Sequence, residues 1–294
     1  MNMDRSRQTG RRFAARARSR RTGYLIGALC LVLCAIMIAP LLASILASFK
    51  PTVEAAAVPP TYFPHALSLD SYQRLWSYQH GLPVYLWNSA GTAVLTIALC
   101  LVLTIPAGYA FARFPLPGKE ILFVFMLLAL IVPYQALLTP IFFLFARLRL
   151  TNSLLGLAIL HTVIQFPFSI YVMRNSFESV PRELEEAAVI DGCSSWQILV
   201  KILVPSIKPA IVTVSLFAFI ASWNELLGAL VMMNRGDTFT LPLVLAVSRS
   251  QTSIGGIDWG MLQAGITISI IPCVLFYVLL QKYYVSGLLS GTGK

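Results

Sequence analysis

The chain has 294 residues, of which 57% are hydrophobic and only 12% charged, and it carries a net charge of +10. A water-soluble domain carries about a quarter charged residues, so this composition excludes an ordinary globular protein and makes the bilayer the solvent to read against. The length suits one membrane bundle with no large soluble domain beside it.

The positive charge is concentrated at one end, in Arg5, Arg7, Arg11, Arg12, Arg16, Arg18, Arg20 and Arg21. This basic segment, 1–22, stops where the first apolar run begins, as expected of a cytoplasmic anchor that orients the run and lies against anionic membrane lipid. Nucleic-acid binding would call for aromatic residues among the basic ones, and only Phe13 is there. The run 24–48 is too long for a signal-peptide core and is not promptly followed by a small-residue cleavage site, so it reads as the first span, 23–48. The next segment, 49–85, is aromatic and rich in proline (Pro51, Pro59, Pro60, Pro64, Pro83) and is expected to be an ordered outer loop rather than a helix.

Further spans are predicted at 86–112, 120–146, 153–174, 208–231 and 261–284, within a core covering 86–284 and followed by a short tail, 285–294. Six spans put both termini on one side. Sixteen Lys and Arg then fall inside and six outside (Lys50, Arg74, Arg147, Arg149, Arg235, Arg249), so the positive-inside bias makes both termini cytoplasmic. Pro106, Pro133, Pro140, Pro167 and Pro272 lie within these runs and are expected to kink them, as in a cavity-lining bundle. Cys30, Cys34, Cys100, Cys193 and Cys273 are scattered without a disulfide or metal framework.

The inner connection at 175–207 is amphipathic rather than loop-like. Pro181 suits the first turn of a helix, Glu183, Glu185 and Glu186 suit its positive N-terminal end, and Gly192 suits its termination. A second short helix is predicted from Ser195 to Leu203. Acidic shoulders around small residues favour a docking element for a cytoplasmic partner over a helix lying on the membrane, because anionic lipid repels carboxylates.

Glu185-Glu186-Ala187-Ala188-x-x-Asp191-Gly192, followed by Ile202-Leu203-Val204-Pro205 and Pro209, resembles the EAA loop of permease subunits of ABC importers. Further matches are similar to the carbohydrate-uptake branch, in particular the maltose-type second permease. They include Ser48-Phe49-Lys50-Pro51, Pro59-Pro60, Tyr72-x-x-Leu75-Trp76, Pro133-x-Gln135, Asn152-Ser153-x-x-Gly156-Leu157, Ser222-Trp223-Asn224-Glu225, Trp259-Gly260 and Gln281-Lys282-Tyr283-Tyr284. The resemblance covers about 45–292; the tail ending Ser290-Gly291-Thr292-Gly293-Lys294 is short, which puts any family contact made by it in doubt.

That resemblance implies an all-α, six-helix permease bundle in the bacterial inner membrane. Its coupling helix, with Glu185, Glu186, Ala187, Ala188, Asp191 and Gly192, would sit in a groove of an ATPase subunit. The implied partners are a second permease in a heterodimer, an ATPase dimer and an extracytoplasmic solute-binding protein. This subunit would need no cofactor, since ATP and Mg belong to the ATPase; the sequence has no phosphate-cradling Gly-rich loop of its own.

Trp223, Asn224 and Glu225, about 22 Å beyond Lys208 on a continuous helix, are candidates for the solute path: an indole face for a sugar and hydrogen-bonding neighbours. The alternative is that Asn224 and Glu225 join this span to another helix. His161 is open in the same way, as a substrate contact or a hydrogen-bonded bundle residue. Other importer substrates, such as glycerol phosphate, amino acids or polyamines, remain possible, as does the different class of a solitary secondary transporter. An intramembrane enzyme lacks a nucleophile–base or metal motif.

Overall fold

The computed structural model describes residues 3–57, 59, 61–248 and 257–291, with side chains described within 23–57, 59, 61–248 and 257–281. The basic side chains of 5–21 and those of Pro60, Arg249, Lys282 and Lys294 lie outside that set. Among the described residues every regular element is helical. They are α1 (Met3–Ser48), α2 (Thr52–Ala55), α3 (Asp70–Trp76), α4 (Leu82–Arg113), α5 (Lys119–Leu128), α6 (Tyr134–Arg147) and α7 (Leu154–Glu178). After these come α8 (Glu183–Ile190), α9 (Ser195–Gln197), a π-helical turn (Ile198–Leu203), α10 (Val204–Ser206), α11 (Lys208–Trp223), α12 (Leu227–Met232), α13 (Leu241–Ser248) and α14 (Trp259–Gly291), with a single 3-10 turn at Gly236–Thr238.

Four of these carry stretches long and apolar enough to cross a bilayer unbroken: Gly23–Ser48, Leu82–Arg113, Leu154–Glu178 and Trp259–Gln281. The other two expected spans are interrupted. The run 120–146 is split into α5 and α6: after Leu128 the backbone tightens into i→i−3 bonds, from Ala129 to Met126 and Ile131 to Leu128, and stops at Pro133. Proline has no N–H to continue the ladder and drives Val132 away from helical geometry. The run 208–231 is split without a proline, between Trp223 and Leu227. There the polar side chains compete for the backbone: the Asn224 amide donates to the Ile220 carbonyl at 3.0 Å, and the Glu225 carboxylate takes the N–H groups of Gly228 and Ala229. By contrast, Pro106, Pro140, Pro167 and Pro272 all lie inside continuous helices, as does Pro40, which the sequence pattern did not single out.

Two boundaries also move. The basic segment forms one helix with the first span, as expected where arginine and alanine, both strong helix formers, dominate. The loop 49–85 contains two short helices, α2 and α3, and α4 starts at Leu82 instead of residue 86.

The bundle is organised around α4, which packs along α7 and α11 through Cys100, Tyr109, Met173, Phe177, Val214 and Ala218. Gly108 permits the α4–α7 approach: a Cβ there would lie 2.6 Å from the Met173 Cβ. At the end remote from α8, the loop is tied down by side chains. Ser48 and Tyr72 hydroxyls are 2.8 Å apart, and Arg74 pairs with Asp258 at the start of α14 at 2.8 Å.

Glu54 accepts from Thr61 at 2.9 Å and from the His65 ring at 3.0 Å. Burial alone would raise its pKa, but the bonds from Thr61 and His65 together outweigh it and hold the carboxyl below its ordinary range. A depressed carboxylate contributes order that is present above its unfolded pKa and lost as pH falls through the folded value. A spin label at Ser68, whose backbone N–H donates to Phe49, should therefore gain mobility at acid pH, below the ordinary carboxylate range. Glu54→Gln should remove that step; a wild-type loop with no acid step would show that Glu54 does not pin it.

Candidate functional site

Two regions combine the residues that carry chemistry. The first is the connection after α7. In α8 three carboxylates lie in the first turn, where the helix dipole favours them. The helix closes with Gly192 N donating to Val189 O at 3.0 Å and Cys193 N to Ala188 O at 2.9 Å. This reversal puts Gly192 at φ +80°, a conformation open to glycine without a Cβ penalty. Ser194 and Gln197 then form a reciprocal capping box, which starts the next helix at once. The segment Ser195–Ser206 meets α11 at 78°. A compact two-helix knob results.

The knob has an inner and an outer face. Ala188, Ile198, Leu199 and Leu203 are buried against Tyr109, Ala112, Met173 and Phe177. Glu185, one turn before Ala188 and on the same face, forms an ion pair with Arg113 at the end of α4, with Nε and Oε1 2.5 Å apart; the contact is electrostatic rather than an aligned hydrogen bond. The Arg113 side chain also donates to the Val180 carbonyl at 2.7 Å. Glu186, Ala187, Asp191 and Gly192 are exposed, and with them Ile190 (86%) and Trp196 (68%). The sequence pattern grouped Glu185 and Ala188 with the outward surface; helical geometry instead turns both toward the chain's own bundle. Arg113 was legible only as one more inner-side charge, and its ion-pair role depends on a contact 72 residues away in sequence.

The second region is the break between α11 and α12. Trp223 is buried; its indole N–H donates to the Ser269 carbonyl at 3.1 Å, and its ring stacks on Phe219 at 5.6 Å between centroids. Asn224 is exposed. Glu225 points into the bundle, where Oε1 accepts from the Tyr134 hydroxyl at 2.9 Å and Gly228 N at 2.6 Å, while Oε2 accepts from Ala229 N at 3.1 Å and faces His161 Nε2 at 3.3 Å. An ionised carboxylate only accepts, so Nε2 carries a proton toward it, and Nδ1 lies 2.9 Å from the Ser222 hydroxyl. Thr96 donates to Ser222 at 3.4 Å, which extends the chain of contacts to α4.

The order Ser222–His161–Glu225 is that of a hydrolytic triad. Ser222, however, is itself buried against Thr96, so the arrangement fastens helices together and presents no nucleophile. Tyr134 as a partner of Glu225, and Ser222 as a partner of His161, were not recognised from the sequence; Tyr134 follows the helix-breaking Pro133, and that position is the one local signal for its role. Among the described residues no group of three or more His, Cys, Asp or Glu could hold a metal.

Residues 104–289 match the family described as the binding-protein-dependent transport system inner membrane component. The chain is 33% identical, over 82% of its length and 84% of the relative's, to a sulfoquinovosyl glycerol transport system permease protein of Agrobacterium fabrum. It is 30% identical, over 84% of its length and 88% of the relative's, to a diacetylchitobiose uptake system permease protein of Streptomyces coelicolor. Its fold is similar to a chain of a bacterial ABC transporter involved in import of the acidic polysaccharide alginate, with a TM-score of 0.78 and 23% identity over 90% of this chain and 97% of that one.

The break makes a separable prediction. Glu225→Leu strands two backbone N–H groups, His161 and Tyr134, each at about 1–3 kcal/mol, and should lower the thermal unfolding temperature of the purified chain by several degrees. Asn224→Ala, which gives up one exposed hydrogen bond to the Ile220 carbonyl, should cost no more than about 1 kcal/mol. Equal shifts for the two variants would mean that Glu225 does not hold the break.

Proposed function

The chain belongs to the family of binding-protein-dependent transport system inner membrane components, and we propose that it is the permease subunit of an ABC importer that carries a sugar or an oligosaccharide. It is a transport component of the inner membrane. The glycosyl glycerol and the chito-disaccharide named for two of its relatives support a carbohydrate substrate. ATP and Mg would be bound and hydrolysed by a partner ATPase dimer, a second permease would complete the membrane pair, and a solute-binding protein would deliver substrate at the face opposite α8. Both termini would then be cytoplasmic.

The observation that carries the coupling assignment is the outward crest of the knob: Ile190 and Trp196 stand exposed beside Glu186, Ala187, Asp191 and Gly192, on a support fixed from behind. An apolar crest with acidic shoulders suits a protein groove, because aromatic and aliphatic anchors supply contact area and carboxylates supply charge-assisted hydrogen bonds. Glu185 and Ala188 serve the same element by seating it. For the solute path, Asn224 is the member of the Trp223–Glu225 trio with a free surface, and Trp223 and Glu225 shape the break behind it. The use of Glu225 within the bundle disfavours a solitary ion-driven carrier, which needs a carboxylate available to its coupling ion.

The test uses the reconstituted complex of permeases, ATPase and binding protein. Gly192→Trp should lower uptake per ATP hydrolysed by at least about tenfold, within the span of ordinary coupling free energies, in a complex that still assembles. Gly192→Asn should come close to normal, since asparagine tolerates positive φ. Normal coupling in both variants would remove the coupling-helix assignment.

A further inference from the structure

The Arg113–Glu185 pair sits where the knob meets the bundle, and its chemistry sets it apart from ordinary surface ion pairs. The two side chains are 9% and 16% exposed. Arg113 is the last residue of α4, and beyond this pair it also holds the Val180 carbonyl, just before α8 begins. One guanidinium therefore grips the knob at two points, before α8 and in its first turn. A planar, permanently charged fork is suited to such a double grip, and a lysine would not reproduce it.

The helix that ends in Arg113 reaches the other side of the bundle. α4 is continuous over 32 residues, about 48 Å at 1.5 Å per residue. Near its opposite end the Asn88 amide donates to the carbonyls of Asp237 and Phe239, both at 2.9 Å, and the Ser89 hydroxyl accepts from Leu241 N at 2.8 Å. Between the two ends Thr96 reaches Ser222, beside the break at Asn224. The knob, the break and the loop between α12 and α13 are thus all hydrogen-bonded or ion-paired to a single helix.

We propose that Arg113 is a positioning residue for transport: through its grip on Glu185 and Val180 it makes α4 follow the knob, so that displacement of the knob by a docked partner reaches the break and the opposite loop. This rests on the coupling-helix reading of the knob. It adds a specific carrier of the motion, an ion pair whose loss leaves the outward crest in place and the knob joined to α4 by the apolar contacts of its inner face alone. Because the pair is largely shielded from solvent, the carrier depends on charge and geometry together; exchanging the two charges restores the ion pair but not the donation to the Val180 carbonyl, so it should preserve the carrier in part.

The experiment measures sugar uptake per ATP hydrolysed in vesicles holding the full complex, with the amount of assembled complex measured in parallel. Arg113→Met and Arg113→Lys should each lower that ratio by at least about fivefold, the lower end of ordinary coupling free energies. The exchange variant Arg113→Glu with Glu185→Arg, which restores the ion pair without the bond to Val180, should raise the ratio at least about twofold above that of Arg113→Met. A purely structural pair would lower uptake and hydrolysis in proportion, or reduce assembled complex with the ratio unchanged, and either result overturns the proposal. If Arg113→Met does not assemble, the ratio is read on Glu185→Gln and on the exchange variant; a normal ratio in Glu185→Gln, or no recovery in the exchange, overturns it equally. Failure here while Gly192→Trp still uncouples would remove Arg113 alone, whereas normal coupling in Gly192→Trp would remove the underlying reading.

Discussion

A helix that breaks within a membrane has no water to satisfy the backbone groups it frees, so the protein must supply partners from its own side chains. That constraint organises the centre of this molecule. Where α11 stops, Glu225 takes the first free N–H groups of α12, and its remaining acceptor capacity is used by Tyr134 and His161. Tyr134 is itself the first residue after the other break, at Pro133. The two interrupted spans therefore meet at one carboxylate. A charge that would be costly in lipid is tolerated because four donors converge on it, and those donors come from α6, α7 and α12.

The same logic places the knob. Its inner face is apolar around Ala188, Ile198 and Leu203, while Glu185 would be costly to bury without Arg113. Its outer face keeps Ile190 and Trp196 in the open, which an isolated subunit has no reason to do and an assembled one does. α4 connects these features, with Gly108 letting α7 lie close and with polar residues at both ends engaging loops on opposite faces. A long helix with engaged ends suits the proposed importer subunit, whose energy source would lie in a partner.

Much of this was legible in the sequence. Apolar run lengths fell on the four helices long enough to cross a bilayer unbroken, and the basic segment and the uneven distribution of lysine and arginine gave an expected orientation. The pattern from Pro181 to Gly192 located a short helix with a glycine stop, because capping and dipole preferences act locally. What escaped was decided by contacts distant in sequence. Helical periodicity shows that Glu185 and Ala188 share a face, but not which way that face turns; Arg113 decides that. Pro133 ends a helix whereas Pro106 and Pro167 lie within continuous ones, and the break in α11–α12 falls at Asn224 and Glu225, residues whose competition with the backbone a hydropathy pattern does not register. Trp223 reads in the sequence as an available stacking face, but in the fold Phe219 stacks on its ring and the Ser269 carbonyl takes its N–H.

The central claim is that the outward face of the α8 knob, and not its inward face, meets the ATPase. Site-specific cross-linking in the assembled complex tests it most directly, with a short bifunctional reagent and single cysteines placed by Ile190→Cys and Ala188→Cys in a background lacking the native cysteines. The account predicts a permease–ATPase cross-link from position 190 and none from position 188. A cross-link from position 188, or none from position 190 in a complex that transports, would contradict it.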